Sequence, residues 1–197
     1  LPDFAYVLIG STHNHEGPDT IGIWGKNPLQ RGVDDEYLGR VVKGIVNGIR
    51  EAERQLATVR VSYGTASDEL LLGDSRQPYV KDSVLRLLRF HRVEDHQLAG
   101  LLVQWNCHPE ALGSKNTLVT ADFPATTVTV LRQRYHCPVV YATGAIGGLG
   151  ATPCTSTLNA GAGREWQRSP GTAPSRPCPS APARRSTGWM DRSLAGA

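Results

Sequence analysis

Apolar and polar residues follow two periodicities along the first 150 residues, one typical of helices and the other of strands. Apolar positions recur every three or four residues from Asp34 to Leu56, which predicts an amphipathic helix that Asp34 or Asp35 can cap. Residues 121–135 predict a second helix, with Pro124 tolerated in its first turn. Short apolar or alternating runs predict strands over residues 4–9, 58–63, 83–92 and 98–106 and in the segment CPVVYATGAIGGLG. The stretch ASDELLLGDSRQPY reads as a loop, and the whole pattern predicts an α/β fold with a mixed sheet and flanking helices.

This pattern stops after Gly150. Residues 151–197 contain six prolines and no Val, Ile, Phe or Tyr, and they are rich in Ala, Ser, Arg and Gly. Such a segment buries too little apolar surface to offset the entropy of ordering it. We therefore expect residues 1–150 to form an incomplete domain. Residues 151–197 are expected to be a disordered tail or the product of out-of-frame translation, without a role in chemistry.

Charge and composition narrow the class of protein. The net charge of +3 comes from residues 151–197, which hold six Arg against two acidic residues, whereas residues 1–150 hold 15 basic and 16 acidic ones. This distribution gives no reason to expect nucleic-acid binding by the folded part. The sequence has no signal segment and no apolar run of the roughly 18–20 residues that a membrane-spanning helix needs. Its four cysteines lack a CxxC spacing and predict no disulfide framework.

Histidines follow two of the predicted strands. In the stretch STHNHEGPD, His13 and His15 are two positions apart, so on an extended chain they project from the same side. Imidazole is a common ligand of zinc-like ions, but a surface turn explains this pair equally well. His108 follows the strand that ends in the stretch LLVQWNCHPE. Together the three histidines form a plausible set for a metal site at the ends of strands.

Three further residues have alternative roles at such a site. Arg76, in the stretch GDSRQP, is either solvated or placed to bind a substrate carbonyl or a developing oxyanion. Asp122 is either the N-cap of the second helix or a hydrogen-bond partner of a metal-bound histidine. Cys107 points away from His108 on an extended chain, so we expect it in the core. The stretch GAIGGLG lacks the lysine and spacing of a phosphate-binding loop and predicts a tight turn near the site.

The order of these motifs resembles a known family. The stretches STHNHEGPDT, GDSRQP, LLRF, VQWNCHPEALGSKNTLVTADFP and ATGAIGGL are similar, over about residues 4–150, to the N-terminal catalytic domain of the neutral/alkaline non-lysosomal ceramidases. The resemblance implies a zinc-dependent hydrolase that cleaves the amide bond of N-acylsphingosine, with His13 and His108 as zinc ligands. It also implies that His15 lies beside the metal, in proton transfer or substrate contact, and that Arg76 lies near the substrate. Asp122 matches an aspartate of the family's SSDN-like stretch.

The sequence departs from the family at three places. The family's other zinc ligands, a glutamate and a tyrosine, come from sequence beyond the GAIGGL region, and no matching segment occurs here. Ala145 and Gly147 replace the aspartate and serine of the family's GDVSPN-like hexapeptide, and SKNTL replaces a stretch rich in Met and Asn. The resemblance therefore predicts a ceramidase-like hydrolase of a lipid or small-molecule amide.

The resemblance also implies a secreted or periplasmic location and contact with a membrane surface. Two alternatives stay open. The chain is a truncated fragment without catalytic activity, or it belongs to another metallohydrolase with an HxH motif, such as a barrel amidohydrolase, which takes its later ligands from further strand ends.

Overall fold

The computed structural model of the chain describes residues 6–151 and 192–193. These residues fall into two compact units. The first unit comprises Leu1–Ile9 and Gly17–Thr58, and the second comprises Gly10–Glu16 and Val59–Ala197. Among the described residues, no helix combines the length and apolar character needed to cross a bilayer.

The first unit contains one long helix, α1 (Asp35–Arg54). Asp34 is its N-cap, because the Asp34 side chain accepts a hydrogen bond from the backbone N–H of Tyr37. The helix predicted from Asp34 to Leu56 is therefore confirmed, with Asp34 rather than Asp35 as the cap. Its apolar stripe is formed by the predicted positions, but no residue of α1 is buried.

The strand predicted over residues 4–9 is not formed by the part of it that the structure describes. Residues 6–9 have no regular secondary structure, and Tyr6, Leu8 and Ile9 are exposed. Residues 4 and 5 lie outside the described residues. An apolar run becomes a strand only when another strand satisfies its backbone hydrogen bonds, and residues 6–9 lack such a partner among the described residues.

The second unit is built around a mixed sheet. Its strands are β1 (Val59–Ser67), β3 (Val84–Arg92), β4 (Leu98–Trp105), β5 (Val139–Thr143) and the two-residue β7 (Arg192–Ser193), in the order β5-β4-β3-β1-β7. Only β4 and β5 run parallel, and α2 (Asp122–Tyr135) lies in the connection between them. The expected α/β class and mixed sheet are confirmed, and the strands predicted at 58–63, 83–92 and 98–106 lie within two residues of the observed ones except at the end of β1.

A small second sheet corrects the loop prediction for residues 66–79. In this segment a 3-10 turn (Glu69–Leu71) precedes β2 (Leu72–Asp74), and β2 pairs antiparallel with β6 (Leu149–Ala151). The sequence signal was weak because each strand has three residues and contains a glycine. Only the tertiary pairing of two distant segments makes them strands.

The core of the second unit is formed by residues of β2 and β6 together with residues at and just after the end of β4. Leu72, Cys107 and Leu149 form a buried cluster, against which Trp105 and Phe123 pack. Cys107 is 2% exposed, which confirms the prediction that it fills the core. The residues next to this cluster in the chain carry the histidine site. Residues 151–197 lie outside the described residues, apart from Ala151 and the two residues of β7, so their predicted disorder stays a prediction.

Candidate metal centre

Three histidines from two distant segments converge in the second unit. One potential ligand atom of each of His13, His15 and His108 lies within 4.8 Å of the others. The ring centroids are 4.8 Å apart for His13 and His15, 4.9 Å for His13 and His108, and 5.4 Å for His15 and His108. We call these residues the histidine triad. It is the one group of three or more potential metal ligands of this kind among the residues that the structure describes.

His108 is held by the backbone of β6. Its N–H donates to the carbonyl oxygen of Leu149 at 3.0 Å, and its ring atom Nδ1 lies 2.8 Å from the same oxygen. A carbonyl oxygen only accepts, so Nδ1 carries the hydrogen and Nε2 keeps its lone pair. This arrangement, in which a backbone carbonyl fixes the tautomer and the ring orientation, is the usual support for a metal-binding histidine.

The loop that carries the other two histidines is tied down by side chains. We call residues 10–16 the histidine loop. The hydroxyl of Thr143, at the end of β5, donates to the carbonyl oxygen of Thr12 at 2.7 Å. The side-chain amide of Asn14 donates to the carbonyl oxygen of Thr120 at 2.8 Å. His13 itself has a φ of 58°, a left-handed conformation that is uncommon for residues other than glycine.

His15 has a carboxylate partner. Its Nδ1 lies 3.1 Å from Oε2 of Glu110, and both side chains are close to half exposed. A carboxylate also only accepts, so Nδ1 of His15 carries the hydrogen and Nε2 is free to bind a metal or accept a proton. His15 and His108 are therefore both oriented through Nδ1, one by a side chain and the other by the backbone.

The environment of His13 favours the neutral imidazole. Although the residue is exposed, partial desolvation of its ring is the largest cause of a lowered pKa, and the charges of His108 and His15 lower the pKa further. Glu110 acts in the opposite direction and raises it. The neutral ring is the form that binds a metal ion, so the lowered pKa favours metal binding near neutral pH.

Glycines shape the loop that brings Leu149 to His108. A Cβ on Gly144 would lie 1.8 Å from Nε2 of Gln104, and a Cβ on Gly148 would lie 2.4 Å from Oδ1 of Asp74. At either position an added side chain would force these neighbouring groups to move. The predicted tight turn GAIGGLG thus lies next to the site, and its glycines allow the close approach that positions β6.

Arg76 lies next to β2, beside the glycine turn that precedes β6. It is exposed, and its backbone N–H donates to Oδ1 of Asp74. Its side chain lies beside the glycine turn, with Nη2 3.9 Å from the position of a Cβ on Gly147. Asp74 pairs with Leu149, whose carbonyl holds His108, so Arg76 and the triad share β6 as a support. A role of Arg76 in substrate binding stays a prediction.

Asp122 does not cap α2, which corrects one of its two predicted roles. The N-cap is Ala121, and Asp122 is the first residue of the helix, with a φ of 51°. Its carboxylate is buried and accepts from the backbone N–H groups of Leu112 and Phe123, at 3.3 and 2.5 Å. These contacts fix the loop after His108 against α2. The predicted hydrogen bond to a metal-bound histidine is not tested.

Two residues that support the histidines were not predicted from the sequence. Glu110 follows His108 by two positions, and this spacing is the only local signal that it could share the site. The Leu149 carbonyl has no sequence signal, because any residue has a carbonyl group. Its role depends on the pairing of β2 with β6, which links segments about 75 positions apart in the chain.

The donor set fits a zinc ion. Zinc binds histidine nitrogen at about 2.0–2.1 Å, so small ring rotations bring three nitrogens that lie within 4.8 Å of one another onto one ion. Two of the rings have their Nδ1 atoms engaged and their Nε2 atoms available. Zinc is typically four-coordinate, which leaves room for a further ligand or for water.

Comparison with known proteins supports the resemblance at the level of the fold. No family model matches this chain, and no curated protein matches it. Among solved structures, neutral ceramidase from Pseudomonas aeruginosa is similar, with a TM-score of 0.54 and 18% identity over 60% of this chain and 21% of that chain. A ceramidase complexed with C2 is similar with a TM-score of 0.61 and 18% identity, over 72% of this chain and 24% of that chain.

The matched region is a small part of those enzymes. This chain spans between a fifth and a quarter of the length of the two ceramidase structures. At 18% identity the similarity concerns the fold, and it confirms the resemblance that the order of the motifs predicted. The described part of the chain has the fold of a portion of the neutral ceramidases.

Proposed function

We propose that this chain carries the histidine part of a zinc site in a ceramidase-like hydrolase, which cleaves the amide bond of an N-acyl sphingoid lipid. The observation that carries the proposal is the convergence of His13, His15 and His108 from two distant segments. The similarity of the fold to two ceramidase structures supports the choice of reaction. One of those structures is a ceramidase complexed with C2.

Each residue of the site has a separate role in the proposed hydrolysis. His13 and His108 would hold the ion, each through a ring nitrogen. When bound, zinc supplies a Lewis acid for the amide carbonyl and lowers the pKa of a water molecule toward about 7. His15, oriented by Glu110 at 3.1 Å, takes a proton from water through its free Nε2 and passes it to the leaving amine. Arg76 stabilises the negative charge that develops on the substrate oxygen.

The same proposal covers partners and location. The substrate is a lipid amide met at a membrane surface, so the protein makes peripheral contact with that surface. The enzyme works outside the cytoplasm, secreted or in the periplasm. The resemblance implies that a glutamate and a tyrosine from other sequence complete the zinc coordination.

An activity assay tests the proposal. The zinc-loaded chain and an enzyme extended by its downstream sequence are incubated with N-acylsphingosine that carries a fluorescent acyl group, and the released fatty acid is measured. We expect release by the extended enzyme that chelation abolishes. The variants His13→Ala and His108→Ala should lose the zinc content and the release together. His136→Asn is the matched control, because His136 lies at the C-cap of α2 in a left-handed conformation that asparagine also adopts.

The possible outcomes separate the alternatives. Zinc bound through the histidines without any release identifies a metal-binding fragment without catalytic activity. Release of other amides or esters but not of N-acylsphingosine indicates another metallohydrolase. Zinc content that is equal in His13→Ala, His108→Ala and His136→Asn contradicts the ligand assignment.

A further inference from the structure

Thr120 connects the histidine loop to the segment before α2 through both its backbone and its side chain. The carbonyl oxygen of Thr120 accepts from the side-chain amide of Asn14 at 2.8 Å, and its N–H donates to the carbonyl oxygen of Glu16 at 3.2 Å. The Thr120 hydroxyl donates to Oε2 of Glu16. These bonds flank His15 on both sides in the sequence, and Thr120 is 104 residues away from Glu16.

The hydroxyl of Thr120 also forms a second hydrogen bond, as an acceptor. It accepts from the backbone N–H of Asp122 at 3.2 Å while it donates its hydrogen to Glu16. Asp122 in turn holds the backbone N–H of Leu112, in the loop that follows His108. One hydroxyl therefore links the histidine loop to the loop after His108.

The Glu16 carboxylate depends on this hydroxyl. Its other oxygen, Oε1, is buried without a hydrogen-bond partner. The backbone N–H of Glu16 also donates to Oδ1 of Asn14, so the Asn14 side chain holds the backbone on the other side of His15. Removal of the Thr120 hydroxyl leaves a carboxylate with neither oxygen bonded to a side chain, which is unfavourable in a partly buried site.

We propose that Thr120 is a positioning residue, which holds His13 and His15 at the distance from His108 that metal binding requires. It acts through Asn14 and Glu16 and does not contact the metal. The inference rests on the proposed function, because it assigns Thr120 to the support of the same histidine site. Outer residues that orient metal ligands typically contribute about 10–100-fold to metal affinity.

Cobalt titration of the full chain tests this role. Co²⁺ replaces zinc as a visible probe, and its absorption reports the number and geometry of nitrogen ligands. Thr120→Val removes the hydroxyl but keeps the branched shape and both backbone bonds. We expect it to weaken Co²⁺ binding by about tenfold or more and to change the absorption bands, while Thr120→Ser, which keeps the hydroxyl, stays near the parent. Thr129→Val on α2 is the matched control for a threonine-to-valine change.

A second pair of variants separates positioning from a general loss of folding. Glu16→Ala removes the acceptor of the hydroxyl, so the double variant Thr120→Val/Glu16→Ala should bind Co²⁺ no more weakly than Glu16→Ala alone. Circular dichroism of each variant reports whether α1 and α2 are retained. Full additivity of the two changes, or equal binding by Thr120→Val and Thr129→Val, overturns the proposal.

The failure of the positioning role differs from the failure of the function. If the parent binds Co²⁺ and His13→Ala abolishes binding, but Thr120→Val has no effect, only the role of Thr120 is wrong. If His13→Ala and His108→Ala bind Co²⁺ as the parent does, the histidine site itself is wrong, and the positioning role is overturned with it.

Discussion

The two segments that supply the histidine triad are supported in different ways. His108 follows a central strand, and the backbone carbonyl of Leu149 accepts from both its N–H and its ring. His13 and His15 lie on an exposed loop without regular secondary structure, and side chains of Asn14, Glu16, Thr120 and Thr143 hold that loop in place. Strand β6 thus fixes His108 before any ion binds, whereas the placement of His13 and His15 depends on individual hydrogen bonds.

This difference has a consequence for how the site responds to mutation. Backbone support is insensitive to the identity of the supporting residue but sensitive to any change that moves the strand. Side-chain support is lost by single isosteric substitutions that leave the fold unchanged. Substitutions that act on the backbone support of His108 should therefore lower stability and metal affinity more than substitutions of single supporting side chains.

Gly148→Ala is expected to have the largest effect, because it acts on the backbone support of His108. The new Cβ would lie 2.4 Å from Oδ1 of Asp74 and 3.0 Å from Nε of Arg76, so either these side chains or the turn before β6 must shift. Overpacking of this kind destabilises proteins by about 1–3 kcal/mol, measured by urea unfolding, and metal affinity should fall with it. Gly150→Ala, two residues later in β6 and with no atom within 4 Å of the new Cβ, is the control. Equal stability of the two variants contradicts the role of the glycine turn.

Glu110→Gln is expected to have an intermediate effect on the loop side. The change keeps the size of the side chain but replaces the charged acceptor 3.1 Å from Nδ1 of His15. Metal affinity should fall by about tenfold, the lower end of the effect of outer carboxylates, because both side chains are well exposed to water. Co²⁺ titration measures it, and the stability of the apo chain should be unchanged. Glu94→Gln, on an exposed turn, is the control, and equal affinities would rule out Glu110 as a support.

Cys107 should have the smallest effect on the site although it is adjacent to His108. It is 2% exposed, and desolvation, together with the negative charge of Asp122, raises the pKa of its thiol to about 12. The thiol therefore stays protonated at pH 8.5, where a thiol of ordinary pKa is partly ionised. In a variant whose other three cysteines are replaced by serine, a thiol reagent should react slowly in buffer and rapidly in urea.

Replacement of Cys107 and zinc protection of its thiol show whether Cys107 takes part in metal binding. Zinc affinity should be unchanged when Cys107 is replaced by alanine, because the thiol belongs to the core cluster with Leu72 and Leu149. Rapid reaction in buffer, or protection of the thiol by added zinc, would indicate that Cys107 reaches the site.

How much the sequence could predict depended on how local each signal was. The stripe of α1 and the apolar strand β4 were visible because their periodicity is a property of adjacent residues. The position of His108 at the end of β4 followed from the same signal. The prediction of a loop near residue 70 was wrong because β2 forms only by pairing with β6. The prediction of a strand at residues 4–9 was wrong for residues 6–9, because strand propensity alone does not form a strand without a partner.

The residues of the candidate site also differ in whether the local sequence could predict them. His13, His15 and His108 could be proposed from their spacing and their places after apolar runs. Glu110 and Leu149 could not, since their roles follow from how the loop after His108 meets β6. The N-cap role of Asp122 was wrong because its carboxylate binds Leu112, ten positions earlier, which helix-start rules do not consider.

The central claim is that His13 and His108, with His15 beside them, bind one metal ion, and isothermal titration with Zn²⁺ at pH 7.5 tests it most directly. The parent chain should bind one equivalent of zinc, His108→Ala should bind at least about a hundredfold more weakly, since removal of a ligand exceeds the loss of an outer residue, and His136→Asn should match the parent. Zinc binding that is equally strong in His108→Ala and in the parent would contradict the account.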